Sequence, residues 1–251
     1  MAEPIDKVKL VYFMLGLLLA TVVYANLIIL ASPRDDMVAH NPEGIAMLSS
    51  ELHGSVIEIP VIAVGQNAMI GEIAKMTIQG VPGDSSTYLR TNPYVDPELQ
   101  YSSNTAAQVA RRYLDDSGDV GEMDFIMTYQ ISSSYLGGES AGAAKALGMI
   151  ALYQGKDLRH DVVITGTIYP NGRIGHVEAI PEKIEAAASS GYRAIIIPAS
   201  QGTVSFSDRF TLRRADRSFS TDELIGFSEE RYGIDVILAN NIDEAIEHAL
   251  I

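Results

Sequence analysis

The chain has 251 residues, 32 acidic and 18 basic, for a formal net charge of −14. That surplus of negative charge repels phosphate backbones and excludes nucleic acid as an expected partner. The absence of cysteine rules out disulfides, thiolate nucleophiles and cysteine-based metal sites, while a 47% hydrophobic content suffices for one ordinary domain plus an appendage.

Residues 1–9 form a short flank containing Lys7 and Lys9, and residues 10–31 follow as an uncharged, mostly apolar run. As a helix this run would be about 33 Å long, enough to cross a hydrocarbon core of about 30 Å. We read it as a single-pass transmembrane anchor. Lys7, Lys9 and the terminal amine outweigh Arg34 on the far flank. The positive-inside rule then puts the N-terminus in the cytoplasm and the rest of the chain on the extracytoplasmic side of the cell membrane. A cleaved signal peptide ending near Val23-Tyr24-Ala25 is the alternative, but the apolar run continues through Leu27-Ile28-Ile29-Leu30, which favours an uncleaved anchor. Residues 32–54, with Pro33, Pro42 and Gly44, read as a linker, and residues 55–251 as one folded domain.

Within that domain, Ser55 to Val64 is strand-like, with Pro60 suiting a sheet edge. Gly65-Gln66-Asn67 marks a turn, and Ile70 to Gln79 and Ser86 to Thr91 read as strands joined by Gly80-Val81-Pro82-Gly83-Asp84. Asn104 to Leu114 predicts a helix capped by Asn104; its Arg111-Arg112 pair reads as a solvated face more readily than as a site for an acidic substrate. Asp124 to Ile131 predicts a strand, and Ala143 to Gln154 an Ala-rich helix.

Further on, Asp161 to Gly166 predicts a strand, Pro170-Asn171-Gly172-Arg173 a hairpin turn, and Arg193 to Pro198 a buried parallel strand. Ser220-Thr221-Asp222-Glu223 is a capping box, Ile234 to Ala239 a strand, and Asn241 the cap of a last helix reaching Leu250. Hairpins dominate the first half and strand–helix alternation the second, so the expected class is mixed α/β.

Two segments carry chemistry. In Gly137-Gly138-Glu139-Ser140-Ala141-Gly142, glycines around a serine permit a sharp bend that leaves the hydroxyl uncovered. Placed at the first turn of the following helix, Ser140 would sit where free N–H groups and the helix dipole favour negative charge, as suits a nucleophile whose attack creates an oxyanion. A serine needs a base. The five histidines (His40, His53, His160, His176, His248) fall in loops or near helix ends and read as solvated. Lys183, just inside a short helix opening at Pro181, projects from an Ala/Ile-rich surface that could desolvate it. A free lysine titrates near 10.4, so it accepts a proton near neutrality only when burial lowers that value strongly. Serine–lysine dyads are a known variant of triad logic.

Gly-Glu-Ser140-Ala-Gly, Thr165-Gly166-Thr167-Ile168, Pro181-Glu-Lys183-Ile-Glu-Ala-Ala and Gly191-Tyr-Arg-Ala-Ile-Ile-Ile-Pro198 together resemble the proteolytic domain of Lon proteases. The resemblance implies Ser140 as nucleophile, Lys183 as general base and Thr165 as support for the lysine. Backbone N–H groups at Gly138, Glu139, Ser140 and Ala141 would then hold the oxyanion. It also implies a polypeptide substrate and a homo-oligomeric ring. The chain departs from the pattern at Gly137, where many members have Asp, at Glu139, where many have Pro or Asp, and at Thr167, where many have Glu.

Gly137-x-x-x-x-Gly142 starts like a phosphate-binding loop, but Ala143 stands where its lysine belongs, so no ATPase module and no cofactor is expected. No metal-ligand spacing occurs either. Two functions fit: a membrane-anchored, ATP-independent serine endopeptidase, or a catalytically impaired domain of the same fold acting as a tethered binding or scaffolding module.

Overall fold

The computed structural model describes residues 55–64, 70–91, 94–115, 122–130, 135–202, 204–205 and 218–251, all within the compact unit His53–Ile251. The predicted flank, anchor and linker (1–54) and the turn at Gly65-Gln66-Asn67 lie outside these residues. Among the described residues, no helix is long and apolar enough to cross a membrane.

The first sheet contains β1 (Val56–Val64), β2 (Gly71–Pro82), β3 (Thr87–Arg90) and β4 (Met123–Gln130) in the order β1-β2-β4-β3. All its pairings are antiparallel except β3 with β4. Pro60 does lie on an edge strand, where a missing N–H costs no ladder bond. Along β2, Ala74, Met76 and Ile78 point into the core while Lys75 faces solvent and pairs with Glu58 at 2.7 Å. The expected connector Gly80-Val81-Pro82 instead extends β2, because β4 continues the ladder opposite it from Phe125 to Met123.

Two helices, α1 (Pro97–Asp115) and α2 (Gly142–Gln154), pack on each other, and α2 covers β1 and β2. α1 begins seven residues before the expected Asn104 cap: Asp96 Oδ1 accepts the Leu99 N–H at 2.8 Å and Pro97 takes the first helical position. Ser102 and Ser103, which weaken a helix in isolation, send their hydroxyls back to the Leu99 carbonyl at 3.2 and 2.7 Å. Arg111 lies over the Phe125 ring and donates to the Met123 carbonyl, and Arg112 donates to the Pro170 carbonyl at 2.5 Å, so these contacts tie both arginines to the fold.

The second sheet is fully parallel. Its strands β5 (Val162–Ile164), β8 (Ala194–Pro198) and β9 (Asp235–Ala239) stand in the order β9-β8-β5. Between β5 and β8 run the hairpin β6 (Thr167–Ile168) and β7 (Ile174–Gly175), then α3 (Ile180–Ser189); α4 (Thr221–Tyr232) and α5 (Ile242–Ala249) follow β8 and β9. All of β8 is buried, as an apolar run covered on both faces requires. Gly172 closes the predicted hairpin at φ +80°. Ser220 and Glu223 form the expected reciprocal capping box, and Asn241 Oδ1 accepts the Glu244 N–H at 3.0 Å.

Candidate active site

Ser140 is half-buried in the turn between β4 and α2. α2 starts at Gly142, so the serine precedes the helix rather than occupying its first turn. The bend requires glycine at position 138, whose φ is +88°, and closes with the Gly142 N–H on the Glu139 carbonyl at 2.9 Å. A Cβ at Gly142 would come 2.9 Å from the Ile168 backbone nitrogen, so only glycine lets the helix start approach β6 this closely.

The strand end at Thr165-Gly166 is stitched to this turn. The Gly166 N–H donates to the Ser140 carbonyl at 2.9 Å, the Ala143 N–H donates to the Gly166 carbonyl at 3.0 Å, and the Thr165 hydroxyl lies 3.3 Å from the Ser140 carbonyl. Thr165 is 1% exposed. From the other side comes Lys183, 4% exposed, whose Nζ donates to Thr165 Oγ1 at 3.1 Å. Ser140, Thr165 and Lys183, 43 residues apart at the extremes in sequence, therefore belong to one hydrogen-bonded chain.

Two devices fix the lysine's helix. Ala179 precedes α3 in the left-handed region at φ +56°, a costly conformation for a residue with a Cβ, and its carbonyl receives the Lys183 N–H at 3.0 Å. The buried Gln201 side chain clamps Val177 on both sides, donating to its carbonyl at 2.6 Å and accepting its N–H at 3.2 Å. Burial pushes the Lys183 ammonium down to about 8, against the opposing pull of Glu178 and Glu182. A lysine of that kind is neutral in a large fraction of molecules at mildly alkaline pH.

The expected oxyanion set needs one correction. The Gly138 N–H donates to Asp96 Oδ2 at 3.0 Å and is therefore engaged within the fold; Glu139, Ser140 and Ala141 remain as candidate backbone donors. Of the histidines, His160, His176 and His248 are exposed, while His40 and His53 lie outside the described residues.

Sequence reasoning passed over a second buried lysine. Lys145 on α2 is fully buried, and its Nζ donates to Ser102 Oγ at 2.5 Å and to the Leu99 carbonyl at 3.3 Å. Burial lowers it to about 7, opposed by Asp96 and Glu139. The available signal was a single charge in the run Ala143-Ala144-Lys145-Ala146-Leu147, on a helix with no polar face to receive it.

The fold and these contacts define a mixed α/β domain in which a serine turn, a bridging threonine and a desolvated lysine meet. Residues 135–205 match the family model of the Lon protease (S16) C-terminal proteolytic domain. Similar proteins include the Lon protease of Phenylobacterium zucineum, 26% identical over 184 residues, covering 72% of this chain and 21% of that protein. The Lon protease of Desulforamulus reducens is 41% identical over 61 residues, 24% of this chain and 8% of its own length. The archaeal Lon protease of Methanocaldococcus jannaschii is 32% identical over 80 residues, 32% of this chain and 12% of its own length. The chain thus spans only 8 to 21% of the length of these curated relatives. Over residues 135–205 the likeness is to the proteolytic domain of the Lon protease family.

Proposed function

We propose that the chain is a membrane-anchored serine endopeptidase that works without ATP and cleaves unfolded or flexible polypeptides. The observation that carries this reading is the contact of buried Lys183 with Thr165, whose hydroxyl in turn reaches the Ser140 carbonyl. In the proposed reaction Ser140 Oγ attacks the peptide carbonyl carbon while neutral Lys183 takes its proton. The lysine then delivers that proton to the leaving amine, giving an acyl-enzyme on Ser140. Water attacks the ester, again with Lys183 as base, and frees the serine. Thr165 holds the amine in place through both changes of charge, and the backbone around Ser140 faces the oxyanion.

The apolar run 10–31 supports the anchor, with the N-terminus cytoplasmic and the protease domain extracytoplasmic. Independence from ATP is proposed because Ala143 stands where a phosphate-binding loop starting at Gly137 would need its lysine. Assembly into a ring is proposed from the family likeness. The test is cleavage of casein or a quenched peptide by the full chain in detergent, compared with Ser140→Ala and Lys183→Ala. Activity is expected only in the unsubstituted protein. Equal cleavage by all three, or none by any in every oligomeric state, removes the protease reading in favour of a tethered binding module. Protease accessibility on intact cells decides the membrane face.

A further inference from the structure

We propose that Asp96 and Lys145 form a brace that sets the nucleophile turn, gripping the first turn of α1 from both sides of Ser140. The Asp96 carboxylate is shared between two backbone donors: Oδ1 takes the Leu99 N–H at 2.8 Å and Oδ2 the Gly138 N–H at 3.0 Å. Gly138 stands two residues before Ser140. Five residues after it, Lys145 Nζ reaches back to the same turn of α1, to the Leu99 carbonyl at 3.3 Å and Ser102 Oγ at 2.5 Å. Leu99 is therefore held by its N–H and its carbonyl from the two sides of the nucleophile.

The turn needs such a hold. Gly138 adopts φ +88° with open space where a Cβ would point, so neither a side chain nor packing restricts it. Its bond to Asp96 therefore provides a restraint that packing does not. Lys145 is fully buried where an apolar side chain of equal length would fill the same space without desolvating an amine. What the amine adds is direction, since its N–H groups choose one register of α2 against α1.

The Lys145–Ser102 contact is not a second catalytic dyad. Ser102 is 3% exposed and its partner fully buried, so no peptide carbonyl can approach. Asp96 and Glu139 are the carboxylates facing this amine, and burial lowers it to about 7. A neutral amine still has two N–H donors, enough for both acceptors. The brace therefore survives at the alkaline pH where Lys183 would act as base.

The inference rests on the protease reading for its consequence, while its geometry is testable without activity. In full-length protein, hydrogen exchange at residues 137–142 is measured together with Tm for Asp96→Asn and Lys145→Met. Asparagine caps a helix as well as aspartate does but offers one acceptor oxygen, so it can keep the Leu99 bond and lose the Gly138 bond. Exchange at the Gly138 amide is expected to rise roughly ten- to hundredfold, the scale of a bond to a charged acceptor, while Tm stays close to the parent value. Lys145→Met is expected to keep or raise Tm and to loosen the same segment. In peptide hydrolysis, kcat should fall in both variants by about tenfold or more with KM within about twofold, and the pH midpoint should not move.

Unchanged exchange at residues 137–142 in both variants overturns the brace, whatever the activity. A Lys145→Met variant that loses the alkaline rise in rate overturns it too, because Lys145 would then be the base. A parent protein that hydrolyses no peptide sinks the enzyme reading, and the exchange measurement still decides the brace.

Discussion

Thr165 Oγ1 stands 3.1 Å from Lys183 Nζ, and the same hydroxyl is 3.3 Å from the carbonyl of Ser140. The threonine thus accepts a hydrogen bond from the amine and donates one through its own hydroxyl to the Ser140 carbonyl. Thr165→Val keeps the buried volume and removes both bonds. We expect kcat to fall roughly ten- to hundredfold, the equivalent of one charge-assisted hydrogen bond, with little change in KM. Thr165→Ser keeps the hydroxyl and should retain most activity. A valine variant with full kcat refutes the bridging role.

Activity should depend on pH through Lys183. The lysine accepts a proton only when neutral, and its folded-state value is held down to about 8 by burial. The rate constant kcat/KM should therefore be low at pH 6, rise through about pH 8, and level off above it. A rise centred at about 6.5, the ordinary histidine range, or a rate already flat from pH 6, points to a different base.

Stability should respond to pH in the same direction, for a related reason. Both Lys145 and Lys183 have folded-state values below the unfolded one of 10.5. Between those values the unfolded chain binds more protons, so stability rises as pH rises and the burial penalty is fully present below about pH 7. Each lysine contributes a slope of at most about 1.4 kcal/mol per pH unit. Urea unfolding of the parent from pH 7 to 10 should show this increase, and Lys145→Met should flatten it. A parent curve that declines over that range contradicts both assignments.

The sequence disclosed those parts of the fold whose causes are local. Ser220 with Glu223, Asn241, the Pro170–Arg173 hairpin turn and the apolar run of β8 each act within a few residues, and each stands where expected. The start of α1 was hidden because Pro97 reads as a breaker and the serines after it as loop formers, whereas Asp96 and tertiary packing override both. The tail of β2 was hidden because its partner lies some forty residues on, in β4. At the candidate site, Ser140, Thr165 and Lys183 were singled out by motif and family resemblance and lie on one hydrogen-bonded chain, whereas Asp96 and Lys145 were passed over. Their meaning lies in contacts between α1 and the nucleophile turn that no periodicity encodes.

Gly166 makes the last expectation, because it joins the two halves of the site at a point with no room. A Cβ there would collide with the Ile174 side chain and come 3.3 Å from the Ala143 Cβ. Its N–H and carbonyl both belong to the seam with the nucleophile turn, through Ser140 and Ala143. Gly166→Ala must therefore either push the hairpin away or open that seam. Overpacking of this kind costs about 1–3 kcal/mol, which should appear as a lower Tm. Since the seam also positions Ser140 against Thr165, the surviving folded protein should lose kcat more than it loses KM. Gly191, at φ +87° with open space around its Cβ position and away from these contacts, supplies the control. Gly191→Ala should cost stability through backbone strain while leaving kcat near the parent value. Equal effects of the two substitutions on kcat would mean that the seam at Gly166 plays no part in placing the nucleophile.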